Sequence, residues 1–354
     1  MMVVTLGMRA AAFVSVAVAA LSTLPAAAQQ ELNALVWCDH TDPALLEPFE
    51  KKFDVKINTK DYEGTGTALA LIEQSRPGDW DVFVVDSADV PRVVAAGILA
   101  PLPEAEFPWA DIFPELRQEQ LHFKDGKMYA APEKFGYNTL AYNKAKVDPA
   151  DMRKTSVLWD PKYKGKIAVY DYYIPLMGMV AIGLGMKPSD ISEATLPQIR
   201  EKLFEIKDNA ALVGDVVTSQ TALATGQVDL IAGGGEYVTA GLHQENPDLD
   251  WVLPDDGGVR WMQAIGVFAS SERKELATEF VKYILSPEGQ ARLATSSCYW
   301  AMPANTKAAL SDEEKAVLRW AEQPGFIAKS YPYFIPDAEL DAKMLEVWTE
   351  FLQH

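Results

Sequence analysis

Between Leu32 and Tyr237, short apolar runs repeatedly end in a polar or aromatic cluster and then give way to a helical pattern. Leu32–Trp37 reads as a strand. A helix follows with Asp42 as its N-cap and Pro43 at its first position, carrying Leu45, Leu46, Phe49 and Phe53 on one face. Strand-like Val55–Asn58 leads through Tyr62-Glu63-Gly64-Thr65-Gly66 into a further helix, and the run Asp81–Val85 ends at Asp86-Ser87-Ala88-Asp89. Such alternation implies βαβ units, an α/β class and a mainly parallel sheet. Ligands of these sheets bind beyond the carboxyl ends of the strands. Trp37-Cys38-Asp39-His40 and Asp86–Asp89 both occupy such ends.

A second α/β region begins after Thr139-Leu140-Ala141-Tyr142-Asn143. There Lys166–Tyr170 runs into Asp171-Tyr172-Tyr173, and Val228–Ala232 into Gly233-Gly234-Gly235-Glu236-Tyr237. Val259–Phe268 reads as a strand with Trp261 and Gln263 two apart, hence on one face. Helices are expected from Ser271 to Leu285, from Ser286-Pro287-Glu288 onward, over Asp312–Glu322 and over Asp337–Leu352. No repeat or flexible linker separates the two regions. Strands that cross between them, forming a hinge beside a cleft, are therefore expected.

The N-terminus has the layout of a secretory signal: Arg9, an apolar stretch from Ala10 to Leu21, and small residues through Leu24-Pro25-Ala26-Ala27-Ala28. Cleavage after Ala28 is expected, releasing a protein into the periplasm. The alternative is an uncleaved anchor, for which the apolar stretch is short. The net charge is −18, one more negative once Arg9 is removed, which disfavours nucleic acid and anionic lipid as partners. The two cysteines, Cys38 and Cys298, form a lone pair that an oxidising compartment tends to bridge; two buried thiols are the other reading.

No nucleophile elbow, zinc-protease motif or phosphate loop is present, and the histidines at 40, 122, 243 and 354 are scattered. No cofactor or metal is expected. Gly233–Gly235 suits a tight strand-to-helix turn better than an anion cradle, and adjacent Tyr172 and Tyr173 leave a minor ferric-iron reading open.

Taken together, Leu35-Val36-Trp37, Trp80-Asp81-Val82, Gly136-Tyr137-Asn138-Thr139, Trp159-Asp160-Pro161, Lys164-Gly165-Lys166, Trp261-Met262 and Ser286-Pro287-Glu288 resemble the substrate-binding proteins of spermidine/putrescine-type ABC importers. The resemblance covers the chain after residue 28. It implies a two-lobe periplasmic binding protein of type II, closing like a flytrap on hinge crossings. Lobe 1 is expected to take residues 29–138 and 264–308, and lobe 2 residues 139–263 and 309–354. It further implies a monomer, not an enzyme, that delivers a small cation to a permease in the inner membrane.

Carried onto this chain, the family's pocket falls on Trp37, Asp39, Ser87, Asp89, Asp171, Tyr173, Trp261, Gln263 and Trp300. Two departures stand out: the carboxylate expected two residues after Trp261 is the neutral Gln263, and another expected three residues after Asp171 is Ile174. The ligand implied first is a linear polyamine. Because each buried ammonium needs an anionic partner, the missing acids keep a second reading open. That ligand is a methylated onium compound such as betaine or dimethylsulfoniopropionate, held by indole and phenol faces. Its carboxylate would need Lys134, Arg260 or the Gly233–Gly235 amides. An exported hydrolase using Asp39 and Asp171 as paired acids is the alternative of another class.

Overall fold

The computed structural model describes residues 30–354, together with Met2. Apart from Met2, the expected signal segment and its cleavage point lie outside the described residues. Among the described residues, no helix is long and apolar enough to cross a membrane.

Thirteen strands are described: β1 (Gln30–Val36), β2 (Val55–Asp61), β3 (Val82–Asp86), β4 (Phe123–Lys124), β5 (Lys127–Met128), β6 (Ala130–Asn143), β7 (Ile167–Tyr170), β8 (Ala210–Gly214), β9 (Leu230–Gly234), β10 (Leu249–Val252), β11 (Gly258–Val267), β12 (Met302–Pro303) and β13 (Ser330–Pro332). The main sheet runs β2-β1-β3-β11-β6-β9-β7-β8. Its first three strands pair in parallel, and so do its last three. Between these triplets β11 and β6 pair antiparallel with each other and with their neighbours. The expected parallel units are thus present, joined through two long strands with every residue buried.

Each triplet has its own core. Leu45, Leu46 and Phe49 of the helix Pro43–Phe53 join Leu32, Ala34, Val36, Val82 and Val84. The helix is capped as its sequence suggests: the Asp42 side chain accepts from the Ala44 amide. In the other half, Leu176, Met177 and Val180 of the helix Tyr173–Gly183 pack with Ile167, Val169 and Leu230. A further cluster crosses the middle, where Tyr137 of β6 stacks on Trp251 of β10 at 5.9 Å.

The stretch expected as one helix over 312–322 is broken. A helix covers Asp312–Val317, and a separate turn covers Trp320–Glu322. Arg319 between them takes a left-handed backbone, φ 51°. Its guanidinium bonds Asp250 at 2.7 Å and lies 4.9 Å from the Trp251 ring centroid. That tertiary anchor outweighs helical propensity, which is a weak preference per residue.

Candidate functional site

The carboxyl ends of both parallel triplets meet at one cavity of about 130 Å3. From the first triplet come Trp37 after β1, Tyr62 and Glu63 after β2, and Asp86 at the end of β3. From the second come Tyr170 at the end of β7, with Tyr172 beyond it, and Tyr237 after β9. The crossing strands add Asn138, Trp261 and Gln263, while Tyr299 and Tyr333 close the sides. A site at the carboxyl ends is what open α/β sheets provide, because the loops there are free to carry function.

The wall is predominantly aromatic. Trp261 lies edge-on to both Tyr237 and Tyr299, each with centroids 6.3 Å apart, and Trp37 tilts against Tyr62 at 5.4 Å. Gly136, the cross-strand partner of Trp261, leaves the space its indole needs. A methyl group there would overlap both the indole and the Glu236 carboxyl. Several phenol hydroxyls are already committed. Tyr62 donates to the Val84 carbonyl, Tyr237 to the Gly233 carbonyl, and Tyr333 to Asn138 Oδ1 at 2.6 Å.

Of the lining residues none is Lys, Arg or His, and three are acidic: Asp61, Glu63 and Asp86. Asp61 and Glu63 are exposed, whereas Asp86 is 8% exposed. No hydrogen bond or ion pair engages the Asp86 carboxyl among the described residues. Burial, reinforced by Asp89, raises its pKa to about 7. An unpaired acid in a dry aromatic wall behaves in this way because its charged form has lost water without gaining a partner.

Of the residues expected to bind ligand, Trp37, Trp261 and Gln263 line this cavity. The other six lie elsewhere. Asp39 is fully buried beneath the cavity floor, bonded to Lys134 Nζ at 2.8 Å and His40 Nδ1 at 2.9 Å. His40 Nε2 stands 3.0 Å from Glu133, so two acids and two bases form one buried cluster, in which that nitrogen and the Glu133 oxygens make no hydrogen bond. Ser87 is buried against His122 Nε2 at 3.2 Å, and Asp89 pairs with Arg92 at 3.3 Å. Asp171 is exposed and accepts from Trp348 Nε1 at 3.1 Å. Tyr173 opens a helix and donates to Asp341 at 2.6 Å, so its neighbour Tyr172 faces inward instead. The Trp300 indole sits beside Gly241, leaving Tyr299 to line the cavity. Asp39 and Asp171 thus share no cavity, which removes the acid pair that the hydrolase reading required.

Cys38 and Cys298 are bonded, with Cα atoms 6.0 Å apart, and both touch the cavity. The bridge ties the end of β1 to the segment carrying Tyr299. The side-chain donors expected for a ligand carboxylate are engaged elsewhere. Lys134 faces Asp39, and Arg260 donates to the Ile327 carbonyl and the Ser330 hydroxyl. Gly233, with φ 84°, serves the strand-to-helix turn. Asp86, Tyr62 and Tyr170 were not assigned to the site from sequence. The signal that could have found them is their common position at the carboxyl end of a parallel strand.

The spermidine/putrescine-binding periplasmic protein of Escherichia coli is 23% identical over 266 residues, which is 74% of this chain and 75% of that protein. Its Haemophilus influenzae counterpart is 22% identical over 81% of this chain and 79% of its own length. A putative spermidine/putrescine ABC transporter structure from Listeria monocytogenes superposes with a TM-score of 0.78 at 22% identity, covering 91% of this chain and 99% of that one. The two-lobe periplasmic binding protein fold is therefore shared. Residues 44–326 match the family of bacterial extracellular solute-binding proteins, and with two sheet halves meeting at one cavity, the chain belongs to that family.

Proposed function

We propose that this protein is the periplasmic solute-binding component of an ABC importer and that its cargo is a small organic amine of the polyamine class. The observation carrying this reading is a cavity walled by indoles and phenols that contains one buried, unpaired carboxylate and no basic side chain. Each desolvated aromatic face contributes about 0.5–2 kcal/mol toward a cation. A few such faces with one carboxylate approach the roughly 8 kcal/mol of micromolar binding. A zwitterionic cargo fits less well, because its carboxylate would meet Asp86 and find no positive partner.

Capture works by closure. Lobe boundaries at 138/139 and 263/264 are supported by register shifts in the ladders at Thr139/Leu140 and Gln263/Ala264. A bound amine bridges Asp86 and Trp37 on one side to Tyr170 and Tyr237 on the other, and so favours the closed form by differential contacts. The permease then reads that form. Isothermal titration of the mature protein against spermidine, putrescine, glycine betaine and dimethylsulfoniopropionate tests the reading. Heat with an amine is expected, weakened at least tenfold by Trp261→Ala. Binding of the zwitterions alone, or normal binding by the Trp261 variant, would refute it.

A further inference from the structure

We infer that Asp86 and Gln263 act together as a reader of N–H donors, so that the buried end of the cargo is a primary ammonium and not a methylated one. The inference rests on the cation reading of the cavity and narrows it. Asp86 of β3 and Gln263 of β11 are direct cross-strand partners, and both line the cavity. Side chains at such a pair point to one side of the sheet, with Cβ atoms about 4.5–5.5 Å apart.

Both groups present unfilled acceptors. The Asp86 carboxyl has no partner among the described residues, and Gln263 Oε1 is buried without one. Gln263 is held in place, since its Nε2 donates to the Tyr299 hydroxyl at 2.7 Å. Burial first, then the charge of Asp39, raises the Tyr299 pKa well above the usual phenol range, so the hydroxyl keeps its proton. With the amide nitrogen committed to the Tyr299 hydroxyl, Oε1 is the end of Gln263 left unpaired. A primary ammonium carries three N–H donors and can satisfy Asp86 and Gln263 Oε1 together. A trimethylammonium offers only C–H groups and would leave the Gln263 acceptor desolvated and unpaired, which is the costly case.

The surroundings of Asp86 support one exchangeable positive partner. The titratable groups acting on it or feeling its charge are Asp89, Tyr62, Tyr170, Tyr172 and Tyr333, and none of them is a base. A proton occupies the carboxyl near neutral pH in the empty cavity, and a bound ammonium displaces it.

Calorimetry with 1,4-diaminobutane and its fully N-methylated bis-quaternary analogue separates the possibilities, because chain length and charge are matched. The primary amine is expected to bind the wild type about tenfold tighter or more. Gln263→Leu should weaken the primary amine by about tenfold and leave the methylated probe unchanged, while Asp86→Asn weakens both. The double variant Asp86→Asn with Gln263→Glu moves the charge across the strand pair and should recover primary-amine binding. Circular dichroism melts confirm that each variant folds. Equal or tighter binding of the methylated probe to the wild type overturns N–H recognition but keeps the cation reading. Equal weakening of both probes by Gln263→Leu does the same. If neither probe binds, both readings fail.

Discussion

Two buried carboxylates of the same half of the molecule, Asp39 and Asp86, face opposite fates. Asp39 is enclosed with Lys134, His40 and Glu133, and although burial opposes its charge, Lys134 and His40 hold its pKa well below the usual carboxylate range. Asp86 has burial working against it and no base to answer, so its pKa rises to about 7. A structural acid is already satisfied, whereas an acid kept for a ligand remains unsatisfied until the ligand arrives. Sequence position alone does not distinguish them, since both follow a parallel strand of the same triplet.

The largest expected effect comes from breaking the buried ion cluster around Asp39. Lys134→Met or Asp39→Asn leaves buried charge without its partner and should lower unfolding free energy by about 3–5 kcal/mol in urea denaturation. Asp39, with its folded pKa depressed, contributes stability that is present above about pH 4 and lost as pH falls further. His40 is raised to about 10, against burial, by Glu133 and Asp39. Its contribution is therefore full below about pH 6.5 and disappears as pH rises through 10. Variants with undiminished stability would show that the cluster is not a stabilising anchor.

Asp86 should behave in the opposite way. Its folded pKa lies above the unfolded value of about 3.9, so its contribution is full below that pH and lost on rising through about 7. Between pH 4 and 8 the empty protein should lose at most about 4 kcal/mol from this group, and Asp86→Asn should flatten that slope. Melting curves with and without amine check it: the ligand should restore most of the loss, with affinity rising toward pH 7 and levelling above. A slope unaltered in the Asn variant would remove Asp86 from the site.

A smaller effect tests the aromatic wall. Gly136→Ala places a methyl against Trp261 and Glu236, so the indole must shift. A destabilisation of about 1–3 kcal/mol is expected from overpacking, together with weaker amine binding by calorimetry. Unchanged affinity would mean that the Trp261 face is not used.

Much of the fold was legible because period-2 apolar runs and helix caps such as Asp42 are local signals. The α/β class, the crossing strand bearing Trp261 and Gln263, and the cavity at the strand ends all follow from such patterns. Side-chain direction at irregular positions was less legible. Tyr172 and Tyr173 are adjacent, and only the packing of a helix start against Asp341 turns one inward. Tyr299 and Trp300 divide in the same way. Asp39 matches a ligand carboxylate by spacing, but of its partners, His40 and Lys134, the lysine is nearly a hundred residues away and carries no local mark. Asp86 stands directly opposite Gln263, where the expected carboxylate is missing, a relation visible only in the register.

The mildest substitution makes the sharpest control. Asp171 was expected to meet the ligand, yet it is exposed and its carboxylate accepts from Trp348 Nε1. Asp171→Asn keeps an acceptor for the indole and removes a charge already screened by water, so stability should shift by less than about 0.5 kcal/mol. Amine affinity should remain within about twofold, because a solvent-exposed charge outside the cavity adds little to a buried contact. Asp86→Asn, measured beside it, makes the same substitution at a buried position. If Asp171→Asn instead weakened binding tenfold, the cargo would lie against the end of β7, and Asp86 would lose its standing as the anion that holds it.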